Sequence, residues 1–100
     1  MSGSVKRPVS FKFSLFVAGN ALNSMRAQAN LAALCQSHLK GRCEVEIVDV
    51  FREPQRALAE GIFMTPTLIK RAPAPGCRVV GTLGDADSLL QTLAIEPLPT

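Results

Sequence analysis

Two strand-like segments separated by a run of helix formers constrain this chain more than any other feature. Phe11, Phe13, Leu15 and Val17 alternate with Lys12, Ser14 and Phe16, a period of two that reads as a strand. Phe16 is apolar as well, so this strand is expected to be covered on both faces, as in the middle of a sheet. Cys43–Val50, rich in β-branched residues, reads as a second strand. Between them Met25–Leu39 reads as a helix, with Ala27, Leu31, Leu34, Cys35 and His38 on one face. Asn23 or Ser24 is expected to cap its start, and Lys40-Gly41 to close it with a cation and a glycine for a left-handed turn. A β-α-β start of this kind requires parallel strands joined by a right-handed crossover.

The second half continues with shorter elements. Pro54 suits the first position of a helix running through Gln55, Leu58 and Ala59 and stopped by Gly61. Ile62-Phe63-Met64 leads into Thr65-Pro66-Thr67. Thr67–Lys70 and Arg78–Val80 read as strands, joined as a hairpin across Ala72-Pro73-Ala74-Pro75-Gly76, which holds too many prolines for a ladder. Asp85 or Asp87 can cap a last helix through Leu89, Leu90, Leu93 and Ala94, and Pro97 and Pro99 end regular structure. The order is β-α-β-α-β-β-α. Its economical packing is one mixed four-stranded sheet with helices on both faces, a thioredoxin-like α/β architecture. One hundred residues support one such domain and not two. It is placed at residues 10–95, between an N-terminal arm at 1–9 and a tail at 96–100.

Composition and spacing narrow the chemistry. The net charge of +3 forms no basic stripe, and no tyrosine or tryptophan offers a stacking platform, which argues against nucleic acid. No apolar run reaches the roughly 18 residues of a membrane span, and the first residues contain no secretory h-region, so a cytoplasmic protein is expected. Cys35, Cys43 and Cys77 are odd in number and lack Cys-x-x-Cys spacing, so neither a disulfide framework nor a metal site is expected. Ala18–Met25, where a thioredoxin carries its reactive thiols at a helix N-terminus, contains no cysteine, and Cys35 is expected to be packed and inert. His38 lies within a helix, Asp85 and Asp87 are accounted for by capping, and the glycines form no phosphate loop. No catalytic site and no cofactor follow. Pro66 stands where thioredoxin-like folds hold a cis proline, which makes it the candidate structural switch.

Several segments together resemble the KaiB family. They are Phe16-Val17-Ala18-Gly19-Asn20, Asn23-Ser24 with Arg26-Ala27, Ile47-Val48-Asp49-Val50, Pro54-Gln55, Thr65-Pro66-Thr67-Leu68, and Pro73-Ala74-Pro75 leading to Arg78-Val79-Val80-Gly81. The resemblance implies a non-enzymatic timing protein that binds a KaiC-type ATPase and regulates its phosphorylation cycle, with KaiA-like or histidine kinase proteins as further partners. It also implies dimers or tetramers, and a second fold ordered β-α-β-β-α-α-β. That second fold needs a strand within Ser88–Leu93, where only Thr92 is β-branched and Asp85 offers a cap, so the thioredoxin-like state is expected here. Gly61 and Cys77 stand where family members often carry basic residues, while Arg26, Lys70 and Arg78 are retained. The expected contact surface is the helix at Pro54–Glu60 with the second strand; the residues expected to bind a partner are Arg26, Pro54, Gln55, Arg56, Glu60, Lys70 and Arg78, the retained basic ones steering towards an acidic partner. Two rival readings are a thioredoxin-like adaptor or sensor domain in stress or two-component signalling, and a divergent thiol oxidoreductase using Cys43 or Cys77.

Overall fold

The computed structural model describes residues 10–95, so the arm at 1–9 and the tail at 96–100 lie outside the described residues. The elements are β1 (Phe11–Val17), α1 (Leu22–Leu34), β2 (Cys43–Asp49), α2 (Pro54–Ala59), β3 (Thr67–Ala72), β4 (Cys77–Val80) and α3 (Ala86–Thr92). They build one sheet in the order β2-β1-β3-β4. β1 runs parallel to β2, antiparallel to β3, and β3 antiparallel to β4. The expected thioredoxin-like order is the one observed, and Ser88–Thr92 is helical rather than extended.

β1 is central, and its composition explains why. Phe11, Phe13, Leu15 and Val17 face a core shared with Ala27, Leu31 and Leu34 of α1 and Leu89 of α3. Phe16 points the other way and packs with Val48, Ala57 and Ile69 beneath α2. Leu15 and Phe16 are both fully buried, and each such side chain contributes on the order of 1.5–3 kcal/mol by leaving water. The two cores are unequal. α2 offers a single buried residue, Ala57, so burial alone fixes it weakly.

Three local expectations need correction. α1 starts earlier than Met25, with Met25 N–H bonded to the Ala21 carbonyl at 3.0 Å, so Asn23 and Ser24 lie inside the helix rather than capping it. The Ser24 hydroxyl instead accepts from Ala18 N–H at 3.0 Å and ties down the β1–α1 loop. The helix then widens over Cys35–Leu39 into a π-turn, closed by Lys40 N–H to the Cys35 carbonyl at 3.0 Å. In a regular helix Leu39 would lie about 140° around the axis from Leu34; the wider turn brings it back towards that face, where it is fully buried. Lys40 and Gly41 then reverse the chain with φ of 41° and 84°.

The third correction concerns sulfur. Cys35 and Cys43 are joined in a disulfide, and Cys77 is free. Eight residues apart, they match no short-spaced motif; only the turn at Lys40-Gly41 brings the helix end back to the start of β2. Thr65–Pro66 is cis, as the fold led one to expect, and so are Ala72–Pro73 and Ala74–Pro75.

A candidate docking face at one end of the sheet

The strand directions gather four connections at one end of the molecule. β1 and β2 finish there, β3 begins there, and β4 finishes there. The β1–α1 loop and first turn of α1, the β2–α2 loop, the α2–β3 loop and the end of β4 therefore emerge side by side. Six of the large exposed apolar side chains lie on these segments: Leu22, Met25, Phe51, Phe63, Met64 and Val80. Phe51 is 73% exposed and Phe63 90%, and Leu58 on the outer side of α2 is 76% exposed. So many outward-facing apolar residues at one end of so small a chain make this end of the sheet the candidate interaction surface.

Specific bonds hold these loops in place. The Asp49 carboxylate at the end of β2 accepts from Gly19 N–H at 3.2 Å and from Phe51 N–H at 2.9 Å, joining the two loops. Gly19 adopts φ of +52°, and a Cβ there would meet the Phe51 ring at 3.4 Å, so both the backbone conformation and the neighbour favour glycine. The Thr67 hydroxyl donates to the Met64 carbonyl, and Gly81 N–H donates to the Pro66 carbonyl at 3.0 Å.

α2 compensates for its thin apolar seat with charge. Arg56 donates to both carboxylate oxygens of Glu46 on β2, at 2.6 Å for Nη1 to Oε2, and lies near Glu53 and Glu60. Its guanidinium also sits 5.9 Å from the centre of the Phe16 ring. Arg71 of β3 pairs with Glu60 and donates to the Ser14 hydroxyl, which in turn donates to Glu46. Arg78 of β4 donates to the Gly61 carbonyl at 3.1 Å and the Glu60 carbonyl at 2.8 Å, serving the free carbonyls at the C-terminal end of α2. Hydrogen bonding from Arg56, aided by Ser14 and opposed by desolvation, lowers the Glu46 carboxyl below its ordinary range. Arg71 does the same for Glu60, and Glu46 raises the Arg56 guanidinium.

The residues singled out from the sequence therefore divide. Pro54, Gln55 and Arg26 are exposed and available. Arg56, Glu60 and Arg78 are engaged in bonds that brace α2, and of these Arg78 is itself exposed. Lys70 is elsewhere: it is 2% exposed, its Nζ donates to the Leu93 carbonyl at 2.8 Å, and it lies 5.8 Å from the centre of the Phe11 ring. It presents no charge to the surface. Sequence reasoning passed over Phe51, Phe63 and Met64, because an apolar run beside a turn carries no mark of which way its side chains face.

Among the described residues, no group of three or more His, Cys, Asp or Glu side chains could hold a metal ion. No helix among the described residues is long and apolar enough to cross a membrane.

Comparison with known proteins decides the family. The KaiB domain model matches residues 14–95. The circadian clock protein KaiB3 of Synechocystis sp. is 42% identical over 83 residues, covering 83% of this chain and 81% of that one. The chain belongs to the KaiB family. A circadian clock oscillator protein KaiB of Prochlorococcus marinus is 42% identical over 76 residues, 76% of this chain and 71% of that one. The N-terminal domain of SasA from Synechococcus elongatus superposes with a TM-score of 0.69 at 22% identity, over 94% of this chain and 92% of that domain. A mutant thioredoxin from Halobacterium salinarum gives 0.68 at 23% identity, over 91% and 80%. These two likenesses are of fold. The resemblance read from the segments around Gly19, Asp49 and Thr65-Pro66 is thus the correct one, and the protein is a KaiB-family circadian clock protein, a non-enzymatic component. KaiB membership implies a KaiC-type partner in general terms.

Proposed function

We propose that this KaiB-family chain is a cytoplasmic timing protein that docks on a KaiC-type ATPase and regulates its phosphorylation cycle. The single observation that supports the reading most is the exposed apolar cluster at the end of the sheet, carried by loops that internal hydrogen bonds hold in place. A preformed apolar surface binds without a large ordering cost. The exposed guanidinium of Arg26, in the first half of α1 beside Met25, adds a positive charge at the rim that favours an acidic partner. Pro54 and Gln55 continue the surface along α2.

The test is binding of the full chain to a KaiC-type ATPase, with and without nucleotide, measured by interferometry. Phe63→Ser with Met64→Ser should weaken binding about tenfold or more, since central apolar anchors carry most interface energy, and Arg26→Glu should separately slow association and make it less dependent on salt. Their unfolding curves should match the parent's. Arg56→Glu is the poorer variant, because it also removes the brace of α2. Full affinity in the folded Phe63/Met64 and Arg26 variants would move the docking face elsewhere.

A further inference from the structure

The disulfide lies at the far end of the molecule from the cluster of exposed loops. Cys43 pairs in register with Phe11, whereas Thr67, beside Pro66, pairs with Phe16. Five residues of β1, about 17 Å of strand, separate the sulfurs from the position where a thioredoxin-like fold would work on a substrate. The pair is therefore not a displaced thioredoxin centre.

What brings the two cysteines together is backbone. Lys40 N–H bonds to the Cys35 carbonyl, Arg42 N–H to the Leu39 carbonyl at 2.8 Å, and Phe11 N–H to the Arg42 carbonyl at 2.7 Å. Leu39, between them, is fully buried and anchors the turn. These bonds and β2 pairing hold the two Cα atoms 6.1 Å apart, within the span a disulfide bridges, and none of them needs the sulfur bond. The fold presents a preorganised pair of thiols when reduced. Both residues are half-buried rather than sealed, at the edge of the larger core. Arg42, adjacent to Cys43, is held in the turn by its Nε–H to the Leu39 carbonyl. Cys77 lies on β4, three strands away from β2 and about 14 Å across the sheet, too far to compete.

We propose that Cys35 and Cys43 form a reversible thiol–disulfide modification site, oxidised by a small disulfide such as glutathione disulfide. One thiolate attacks the oxidant to give a mixed disulfide and releases one glutathione; the second thiolate displaces the other glutathione and closes the Cys35–Cys43 bond. Two protein thiols are oxidised, glutathione disulfide is reduced to two glutathione molecules, and the two protons end on those products. A dithiol reductant reverses the sequence. The oxidised form clips the end of the α1 helix to the first residue of the edge strand β2, closing a short loop.

The full chain is equilibrated in buffers of graded reduced to oxidised glutathione, its free thiols are trapped by alkylation, and the products are read by mass spectrometry, with Cys77→Ser and Cys35→Ser in parallel. The expected result is a joint loss of two alkylation sites, a linked peptide containing Cys35 and Cys43, an unchanged midpoint in Cys77→Ser, and complete reversal by dithiothreitol in the folded protein. The oxidised form should melt about 5 °C or more above the reduced one, because the cross-link restricts the unfolded chain. A stable glutathione adduct in place of the bridge, a bridge to Cys77, thiols that stay alkylable in every buffer, or reduction only after unfolding would each overturn the proposal. None of these readouts depends on KaiC binding, so the docking reading stands or falls separately.

Discussion

Replacing Asp49 tests how the exposed loops are held. Its carboxylate is 26% exposed and accepts two backbone N–H groups, from Gly19 and from Phe51. The Gly19 bond is partly buried; without its charged acceptor that donor loses about 1.5 kcal/mol. The Phe51 donor is exposed, so water replaces most of its bond and the loss is about 0.5 kcal/mol. Its 3.9 Å contact to Arg52 is a surface pair and adds little. Asp49→Ala should therefore cost about 2 kcal/mol, a large share of the total for a domain of this size, and lower Tm by roughly 8–16 °C. Asp49→Asn keeps an oxygen at the same place but without its charge, and should lose about half as much. Urea unfolding gives the free energies, and amide exchange at Gly19 and Phe51 reports the two bonds directly. If Asp49→Ala stays within about 0.5 kcal/mol of the parent and Gly19 exchanges no faster, the clamp between the loops is not what holds the docking face.

Other consequences follow from the same structure. Glu46 and Glu60 both have carboxyls lowered from the ordinary 4.5, so their contribution to stability is complete above that value and fades as pH falls through the lowered folded values; urea midpoints measured from pH 3 to 7 should fall on the acid side, and less steeply in the Glu46→Gln/Glu60→Gln double variant. Leu39→Ala removes a fully buried side chain from the π-turn and should cost about 2–5 kcal/mol by chemical denaturation. Asp85→Ala removes the acceptor for Ser88 N–H, 3.1 Å away, and should cost about 0.5–2 kcal/mol, whereas Asp85→Asn should cost little; helical signal on thermal melting distinguishes them.

Much of the architecture was legible because its signals are local and periodic. The alternation in Phe11–Val17, with Phe16 breaking it towards the second face, identified the central strand; Pro54 opened α2, Gly61 closed it, and Asp85 capped α3. The candidate site was less legible. Arg56, Arg78 and Lys70 look alike as basic residues in a sequence, yet one pairs with a carboxylate, one with helix-end carbonyls, and one is buried over an aromatic ring. Distinguishing them needs distances between residues far apart in the chain. The start of α1 was misplaced for a similar reason: Ser24 looks like a cap, but its hydroxyl is taken by the Ala18 amide across the loop.

What the sequence determined alone was the order of elements and the choice of helix over strand at Ser88–Thr92, since backbone propensity, capping and hydrophobic period act over a few residues. Tertiary structure alone decided which apolar residues stay outside, which cations are already engaged, and that Cys35 meets Cys43. Those outcomes depend on which segments a β-α-β crossover and a hairpin bring side by side, and packing across the sheet has no counterpart in local spacing.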